Sequence, residues 1–564
     1  MSQSSIASRS LEKTKAYFRN SFRSDLIAGI VVGLIALPLS IAFAVASGVR
    51  PEQGIYTGIL GGIIIGLLSG SQYQVSGPTG AFIVVLLGVV NKFGVEGLMT
   101  AGFMAGIILI LMGIFKFGSL IKYIPYPVTV GFTSGIAVTI FSGQIKDFLG
   151  LHFEHRPNDF IETIQMIVSH ITQGFNLSSL IIGAVTILIY ILWQKKIKKF
   201  PPAPIAVLAG IITSFIISLL LRNNLPAPIL IGELPKNLPQ FTIPALSWEQ
   251  IKLLLPSAFT IAMLGAIESL LSAVVADGMT GTKHNSNKEL IAQGVGNVIM
   301  PLFGAIPATG AIARTGANIR TGAQTRVASI IHGLTLFLIL VVAGSLAQYI
   351  PTAALAGILM MIAYNMAEIG HFRTLLKSPL QDAGVLLATF LLTVFVDLTT
   401  AVGMGIVLAA ILFIQRASRL TLEKIDIESD NIGTEGSARL HASLKKYPQI
   451  QLYEVAGPLF FGVASEFESQ LQHNKGEILI LRMKHVSHMD ATGIHALEVI
   501  IERVQKNKGK IYLATLNERL KKKLEKIGII KKIGGSKYIT KNATSAIELA
   551  KKELHIELVP PRKN

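Results

Sequence analysis

Two short stretches of the sequence have residue types suited to holding a negative charge. Ser76-Gly77-Pro78-Thr79-Gly80-Ala81 and Pro307-Ala308-Thr309-Gly310-Ala311 are alike, and Thr79 and Thr309 stand 230 residues apart. Each motif interrupts uncharged apolar sequence. The apolar run after each is short: Ala81–Val90 in one case, Ala311–Ala313 in the other. A helix that begins inside a membrane presents unpaired N–H groups and about half a positive charge. Two such starts facing each other supply about one positive charge without any side chain, and their amides are donors. Glycine permits close backbone approach, and Thr79 and Thr309 can add hydroxyls. Either motif alone reads equally well as a kink with a cap. Their repetition at a fixed offset points to an anion site.

Two charged residues lie in the same apolar setting. Glu268 is embedded in Ala262-Met263-Leu264-Gly265-Ala266-Ile267-Glu268-Ser269-Leu270-Leu271, and Arg314 follows the second motif. An ionised side chain at mid-bilayer costs about 2.5–3.5 kcal/mol even on a lenient scale, so Glu268 must be protonated, paired or coordinating a cation. Arg314 is its natural partner, and a structural ion pair is the plainest alternative to a functional one. If the two do pair, protonating Glu268 would free Arg314 and favour an anion, linking H⁺ to anion entry. Asp277 and Asp397 fall near span ends, where capping or hydration suffices, and Arg320 and Arg326 lie toward the cytoplasmic end. His485, His488 and His495 lack carboxylate or Cys partners at ligand spacing and read as surface residues, so no metal site is expected.

The elements that must position these residues follow from composition. Of 564 residues, 51% are hydrophobic and 15% charged, with a formal net charge of +18. Residues 1–420 hold 27 Lys/Arg and 16 Asp/Glu, whereas residues 421–564 hold 24 and 17. The first part is too poor in charge to face water; the second resembles an ordinary soluble domain. The absence of Cys excludes thiolate catalysis and Cys-ligated zinc or iron–sulfur clusters. The basic excess flanks apolar runs, as topology signals do, and is not a nucleic-acid footprint.

Apolar runs at 26–46, 54–73, 75–90, 97–115, 123–145, 163–194, 200–221, 253–267, 290–313, 327–367, 383–396 and 398–415 predict twelve to fourteen bilayer spans. The first has the small-x-small sequence Ala44-Val45-Ala46, but its core of about 20 residues exceeds that of a signal peptide. It reads as an uncleaved helix. Adding the motif offset to Asp25 lands at Leu255, where a second block of spans opens. A seven-plus-seven repeat with an odd number of spans per half sets the second half inverted. Arg9, Lys13, Lys15, Arg19 and Arg23 precede the first span; Lys195, Lys196, Lys198 and Lys199 follow the sixth; Arg416 and Arg419 follow the last. These basic clusters put both termini in the cytoplasm. The stretch from Lys146 to Glu162 is mostly acidic and suits an external loop. Beyond Leu420, the apolar strands 477–481 and 510–514 flank a helical pattern over Gly493–Gln505, a βαβ unit. Glu423–Ser437 is a polar connector.

Several stretches of the sequence resemble a known family. Asp25-Leu26-Ile27-Ala28-Gly29-Ile30-Val31-Val32-Gly33, Leu37-Pro38, Ala46-Ser47-Gly48 and Pro51…Gly54-Ile55-Tyr56-Thr57 resemble the opening of the sulfate permease (SulP) anion transporters. Ser76–Gly80, the Glu268 segment and Pro307–Asn318 fit the same family. The resemblance implies an all-α membrane domain of 14 helices in a seven-plus-seven inverted repeat, its core domain moving against a gate domain. It also implies a homodimer and a cytoplasmic α/β STAS domain. The domain plan is a cytoplasmic segment 1–24, a transport domain 25–420, a linker 421–440 and the STAS domain 441–564. By the same resemblance, the anion site falls on Thr79, Gly80 and Ala81 and on Ala313, Arg314 and Thr315, beside Thr309. Glu268 matches the coupling carboxylate, with the hydroxyl of Ser272 four residues on. Glu at that position favours H⁺ over Na⁺. Leu39 replaces a Gln common in sulfate-type members, and Leu37-Pro38-Leu39…Ala42-Phe43 is nearer to bicarbonate or dicarboxylate types. His488-Met489-Asp490-Ala491-Thr492-Gly493-Ile494 resembles the signature of anti-sigma-factor antagonists, where Thr492 occupies the phosphorylated position; a hydroxyl there is also a good N-cap.

The expected protein is therefore a secondary active carrier of sulfate, bicarbonate or dicarboxylate in the cytoplasmic (inner) membrane, not an enzyme. It needs no cofactor beyond a coupling H⁺ or Na⁺, and a cytoplasmic partner could meet the STAS domain. A nucleobase transporter of the same architecture and a channel-like anion sensor are the alternatives. No G-x-x-x-x-G-K-[ST] motif is present, which argues against ATP-driven pumping.

Overall fold

The computed structural model describes residues 17–19, 21–119, 125–155, 157, 159–197, 201–220, 225–232, 241–244, 247–396, 398–417, 421–424, 448–460, 463–471 and 477–555. Asp397, the basic residues Arg9, Lys13, Lys15, Lys198, Lys199 and Arg419, and the connector from residue 425 onward lie outside them. The chain forms two compact units, Met1–Ala409 and Ala410–Asn564.

The first unit is helical because its long uncharged runs can satisfy every backbone polar group only internally. Its elements are α1 (Phe22–Ala46), α2 (Pro51–Leu60), β1 (Ser76–Gly77), α3 (Phe82–Ile114), α4 (Tyr126–Leu149), α5 (Phe160–Ile171), α6 (Leu177–Lys196) and α7 (Pro202–Leu220). There follow α8 (Trp248–Thr280), α9 (Ser286–Ile299), β2 (Thr309–Gly310), α10 (Ile312–Arg320), α11 (Val327–Ala343), α12 (Thr352–Met366), α13 (Ile369–Leu376) and α14 (Leu380–Phe395), and the boundary at Ala409 falls within α15 (Leu398–Ala417). Among the described residues, eight helices are long and apolar enough to span a bilayer. The other apolar runs are broken. The run 163–194 is two helices, α5 and α6, because Asn176 ends the intervening loop by accepting a hydrogen bond from the Ser179 amide. The run 290–313 leaves the helix at Ile299 and becomes extended after Pro307, whose ring removes a donor. Within α3, Gly94 at φ 70° and ψ −178° divides the element into two helices, a backbone state open essentially to glycine alone.

Most helix packing falls into two sets, which meet along a shared apolar core. In one, α3 lies on α8 and α9, α1 on α11 and α2, and α10 on α8; in the other, α4 lies on α12 and α14, and α6 on α7 and α12. Joining the two halves of the chain is an antiparallel ladder two residues long, with Ser76 opposite Gly310 and Gly77 opposite Thr309.

The second unit is an α/β domain. β3 (Thr421–Lys424), β4 (Ile450–Ala456), β5 (Ile478–His485), β6 (Lys510–Ala514) and β7 (Ile539–Thr540) make a five-stranded sheet in sequence order. Only β3–β4 is antiparallel. The helices are α16 (Ala464–Leu471), α17 (Ala491–Lys506), α18 (Glu518–Ile527) and α19 (Ala543–Glu553), with a helical turn at Ile529–Lys532. The β5–α17–β6 unit is the one the apolar pattern predicts. Leu479, Ile480 and Leu481 are fully buried because a parallel sheet is covered on both faces.

Candidate functional site

Both motifs become a strand followed at once by a helix start. β1 runs into α3 through Pro78-Thr79-Gly80-Ala81, and β2 runs into α10 through Ala311. The Ala311 amide donates to the Val75 carbonyl at 3.0 Å, extending the ladder. Because the strands are antiparallel, the two helices leave the ladder in opposite directions, with their N-terminal turns beside it. The two motifs are therefore one structure.

Thr79 donates its hydroxyl to Glu268 Oε2 at 2.9 Å. Arg314 is 2% exposed; its Nη2 donates to the Pro78 carbonyl, and its Nη1 has no hydrogen-bond partner. A Cβ at position 77 would collide with that Nη1, so Gly77 lets the guanidinium lie against the strand. Gly80 opens toward Phe43 of α1, Ile140 of α4 and Met366 of α12: a Cβ there would meet Met366 Sδ at 3.2 Å and Phe43 Cε1 at 3.6 Å. Ala81 is buried, whereas Ala313 is exposed on the first turn of α10. The space beside the helix starts is thus edged by both sets of helices.

Three expectations need correction. Glu268 and Arg314 do not pair directly; each binds the Ser76–Gly80 segment instead, Glu268 through Thr79 and Arg314 through Pro78. The Pro78 carbonyl, at a break in regular structure, has to find a donor, and it competes for the guanidinium. Ser272 does not join Glu268 either: its hydroxyl donates to Thr315 Oγ1 at 3.1 Å, and Thr315 also accepts from the Val75 amide at 3.1 Å. Thr309 likewise has its hydroxyl engaged, donating to the Gly265 carbonyl at 3.0 Å and lying 2.8 Å from Ser269 Oγ. Of the three threonines, only Thr79 turns its hydroxyl to the ionisable residue.

Sequence reasoning missed four side chains here. Ser269 accepts from the Gly310 amide at 3.1 Å. Glu289, Gln293 and Asn297, on α9, are 0%, 0% and 2% exposed; Gln293 binds Ser76 and Asn297 binds Ala308, while Glu289 binds residues 69–74 just before the first motif. Their spacing of four along an otherwise apolar run was the available signal. In the second unit, Asp490 rather than Thr492 caps α17, accepting from the Gly493 amide at 2.8 Å, and Thr492 is exposed in the first turn. His485 lies 3.5 Å from Glu454 and His495 lies 3.8 Å from Glu498. Among the described residues, no group of three or more His, Asp or Glu could hold a metal.

Residues 22–389 match the sulfate permease family, and residues 441–545 match the STAS domain. The chain belongs to the sulfate permease family. Like its relatives there, it is a multi-pass membrane transport protein and not an enzyme. This sulfate permease family member is 41% identical over 525 residues to YvdB of Bacillus subtilis (strain 168), a provisionally named sulfate transporter, across 92% of this chain and 96% of that one. It is 32% identical over 503 residues to the bicarbonate transporter BicA of Picosynechococcus sp., across 86% of each chain. In fold it matches SLC26A9 with a TM-score of 0.81, over 98% of this chain and 95% of that one, at 17% identity. The nucleobase alternative falls away with the family assignment.

Proposed function

We propose that the chain is a secondary active transporter of a small oxyanion, sulfate or bicarbonate, driven by H⁺. In this reading the anion sits between the starts of α3 and α10, at Thr79, Gly80, Ala81, Ala313 and Arg314. The seven-plus-seven inverted repeat divides into a core that carries the site and a gate built on α4, α6, α7, α12 and α14, and the core moves past the gate as an elevator. The protein works as a homodimer in the cytoplasmic membrane with both termini inside. Similarity to transporters named for sulfate and for bicarbonate supports the substrate class.

The observation that carries the coupling is the Thr79–Glu268 hydrogen bond. An ionised Glu268 accepts the hydrogen bond of the Thr79 hydroxyl and opposes the anion with a negative charge. A proton arriving on Glu268 removes that charge, frees the Thr79 O–H to donate to the anion, and leaves the Arg314 charge unopposed. Proton and anion then bind together. Ser272 turns its hydroxyl hydrogen to Thr315 and not to Glu268, and the carboxyl of Glu268 can itself carry the coupling proton. Glu268→Gln keeps the neutral state permanently. It is expected to retain anion exchange in proteoliposomes while losing stimulation by an inward proton gradient. Radiolabelled sulfate and bicarbonate uptake, at two pH values with and without Na⁺, tests this. Unchanged pH dependence overturns proton coupling, and absence of uptake against a gradient favours an anion sensor acting through the STAS domain.

A further inference from the structure

Helix α9 supplies no side chain that would touch the anion, yet it carries the most heavily hydrogen-bonded buried carboxylate among the described residues. Glu289 Oε2 accepts from Ser69 Oγ at 2.5 Å, the Gly70 amide at 2.8 Å and the Ser71 amide at 3.3 Å. Its Oε1 accepts from Gln74 Nε2 and Gln293 Nε2, both at 2.9 Å. One turn on, Gln293 Nε2 also donates to Ser76 Oγ at 2.8 Å, on β1 itself. A further turn on, Asn297 closes a two-bond ring with Ala308, the residue before β2: Nδ2 donates to its carbonyl at 2.9 Å, and its amide donates to Oδ1 at 2.8 Å.

Three residues spaced by four lie along one face of a helix, so one rigid element grips both interrupted segments. The grip on residues 69–76 reaches into the first half of the chain, while that on Ala308 stays within the second. Extended backbone inside a helical membrane domain has few partners of its own, and a two-residue ladder satisfies only a few groups. The electrostatic effect of a helix start fades within its first turn, so small shifts of either strand would weaken an anion site. Buried polar side chains are costly unless paired, and here the partners outside α9 lie in residues 69–76 and at Ala308.

We propose that Glu289, Gln293 and Asn297 are positioning residues for anion binding. They lock both motif strands to α9, so that the two helix starts travel as one body and the site keeps its geometry on either side of the membrane. This rests on the anion-transport reading for its functional part and on the fold alone for its mechanical part.

The test uses the full chain in lipid nanodiscs and proteoliposomes. Glu289→Gln places an amide donor against existing donors, and Asn297→Asp replaces the donor facing the Ala308 carbonyl. Each variant is expected to speed amide hydrogen exchange about tenfold in both residues 75–79 and residues 308–311, although each touches the segments differently. Each is also expected to raise the KM for labelled sulfate or bicarbonate, whichever the wild type takes up, about tenfold with Vmax within about twofold. Glu289→Asp, which keeps the acceptor set, is expected to recover part of the KM. Faster exchange confined to one segment overturns the single-body claim. Lost thermal stability with an unchanged KM overturns the positioning role. A wild-type chain with no saturable uptake defeats the transport reading instead, and the exchange measurement then decides the mechanical claim. Asn297→Asp carries the test if Glu289→Gln does not fold.

Discussion

Thr79 has one hydroxyl hydrogen, and in the structure it is committed to Glu268. Thr79→Val removes that donor at nearly constant volume. It is expected to weaken anion uptake about fivefold at low pH, the loss of one hydrogen bond of about 1 kcal/mol, and to flatten the dependence on pH. Thr79→Ser is expected to preserve both, and uptake measured across the acid range distinguishes them. At this scale the sequence marks unusual residues more readily than it marks their partners. Thr79, Glu268 and Arg314 stand out because hydroxyl and charge are rare in those runs. Their pairing was misjudged because charge complementarity ignores direction: the guanidinium meets the Pro78 carbonyl, a backbone acceptor that no side-chain inventory contains. Glu289 was overlooked for a similar reason. It sits at the edge of an apolar run, where a carboxylate ordinarily faces water, and only the fold brings five donors to it.

Elements followed the apolar runs where these were long, and departed from them where a single residue interrupts. The backbone of Gly94 lies in a region closed to side chains, and a Cβ there would meet nothing within 4 Å. Its role is therefore conformational. Gly94→Ala is expected to destabilise the chain by about 1–3 kcal/mol in thermal unfolding, whereas Gly143→Ala, in the regular helix α4 with the same empty surroundings, is expected to be neutral or mildly stabilising. In the second unit, a salt-bridge clamp ties α17 to the turn that follows α18. Lys532 Nζ lies 2.5 Å from both Glu498 Oε1 and Glu502 Oε1. Hydrogen bonding to the Lys532 ammonium holds the Glu498 carboxyl below its ordinary value, and the two carboxylates hold the lysine above its own. A depressed carboxyl contributes stability above its unfolded value and loses it as pH falls through the folded one. Lys532→Met is thus expected to cost a little stability near neutral pH and nothing at strongly acidic pH, read by chemical denaturation followed at the STAS domain.

At the scale of the whole molecule, the charge of +18 divides into two parts with different meanings. The α/β unit carries 24 Lys/Arg and 17 Asp/Glu over residues 421–564, while the membrane unit sets its few informative charges among apolar helices: Arg314 and Glu289 buried, and Glu268 half-buried beside Thr79. Membrane class, the two-part organisation and the motif repeat were legible from composition and spacing. The contact between the motifs was not, since nothing local in Ser76 or Gly310 states that they are neighbours.

The ladder between β1 and β2 has a further consequence for how the chain is made. Ser76 enters the bilayer long before Gly310 has been synthesised, and at about 5–20 residues per second the wait is roughly ten to fifty seconds. For that interval the segment from Ser69 to Gly77 has no strand opposite it and no Glu289 to accept the Gly70 and Ser71 amides. The translocation machinery or lipid-interface water has to shelter it meanwhile, so assembly of this fold is completed late, when the second half arrives to close the first.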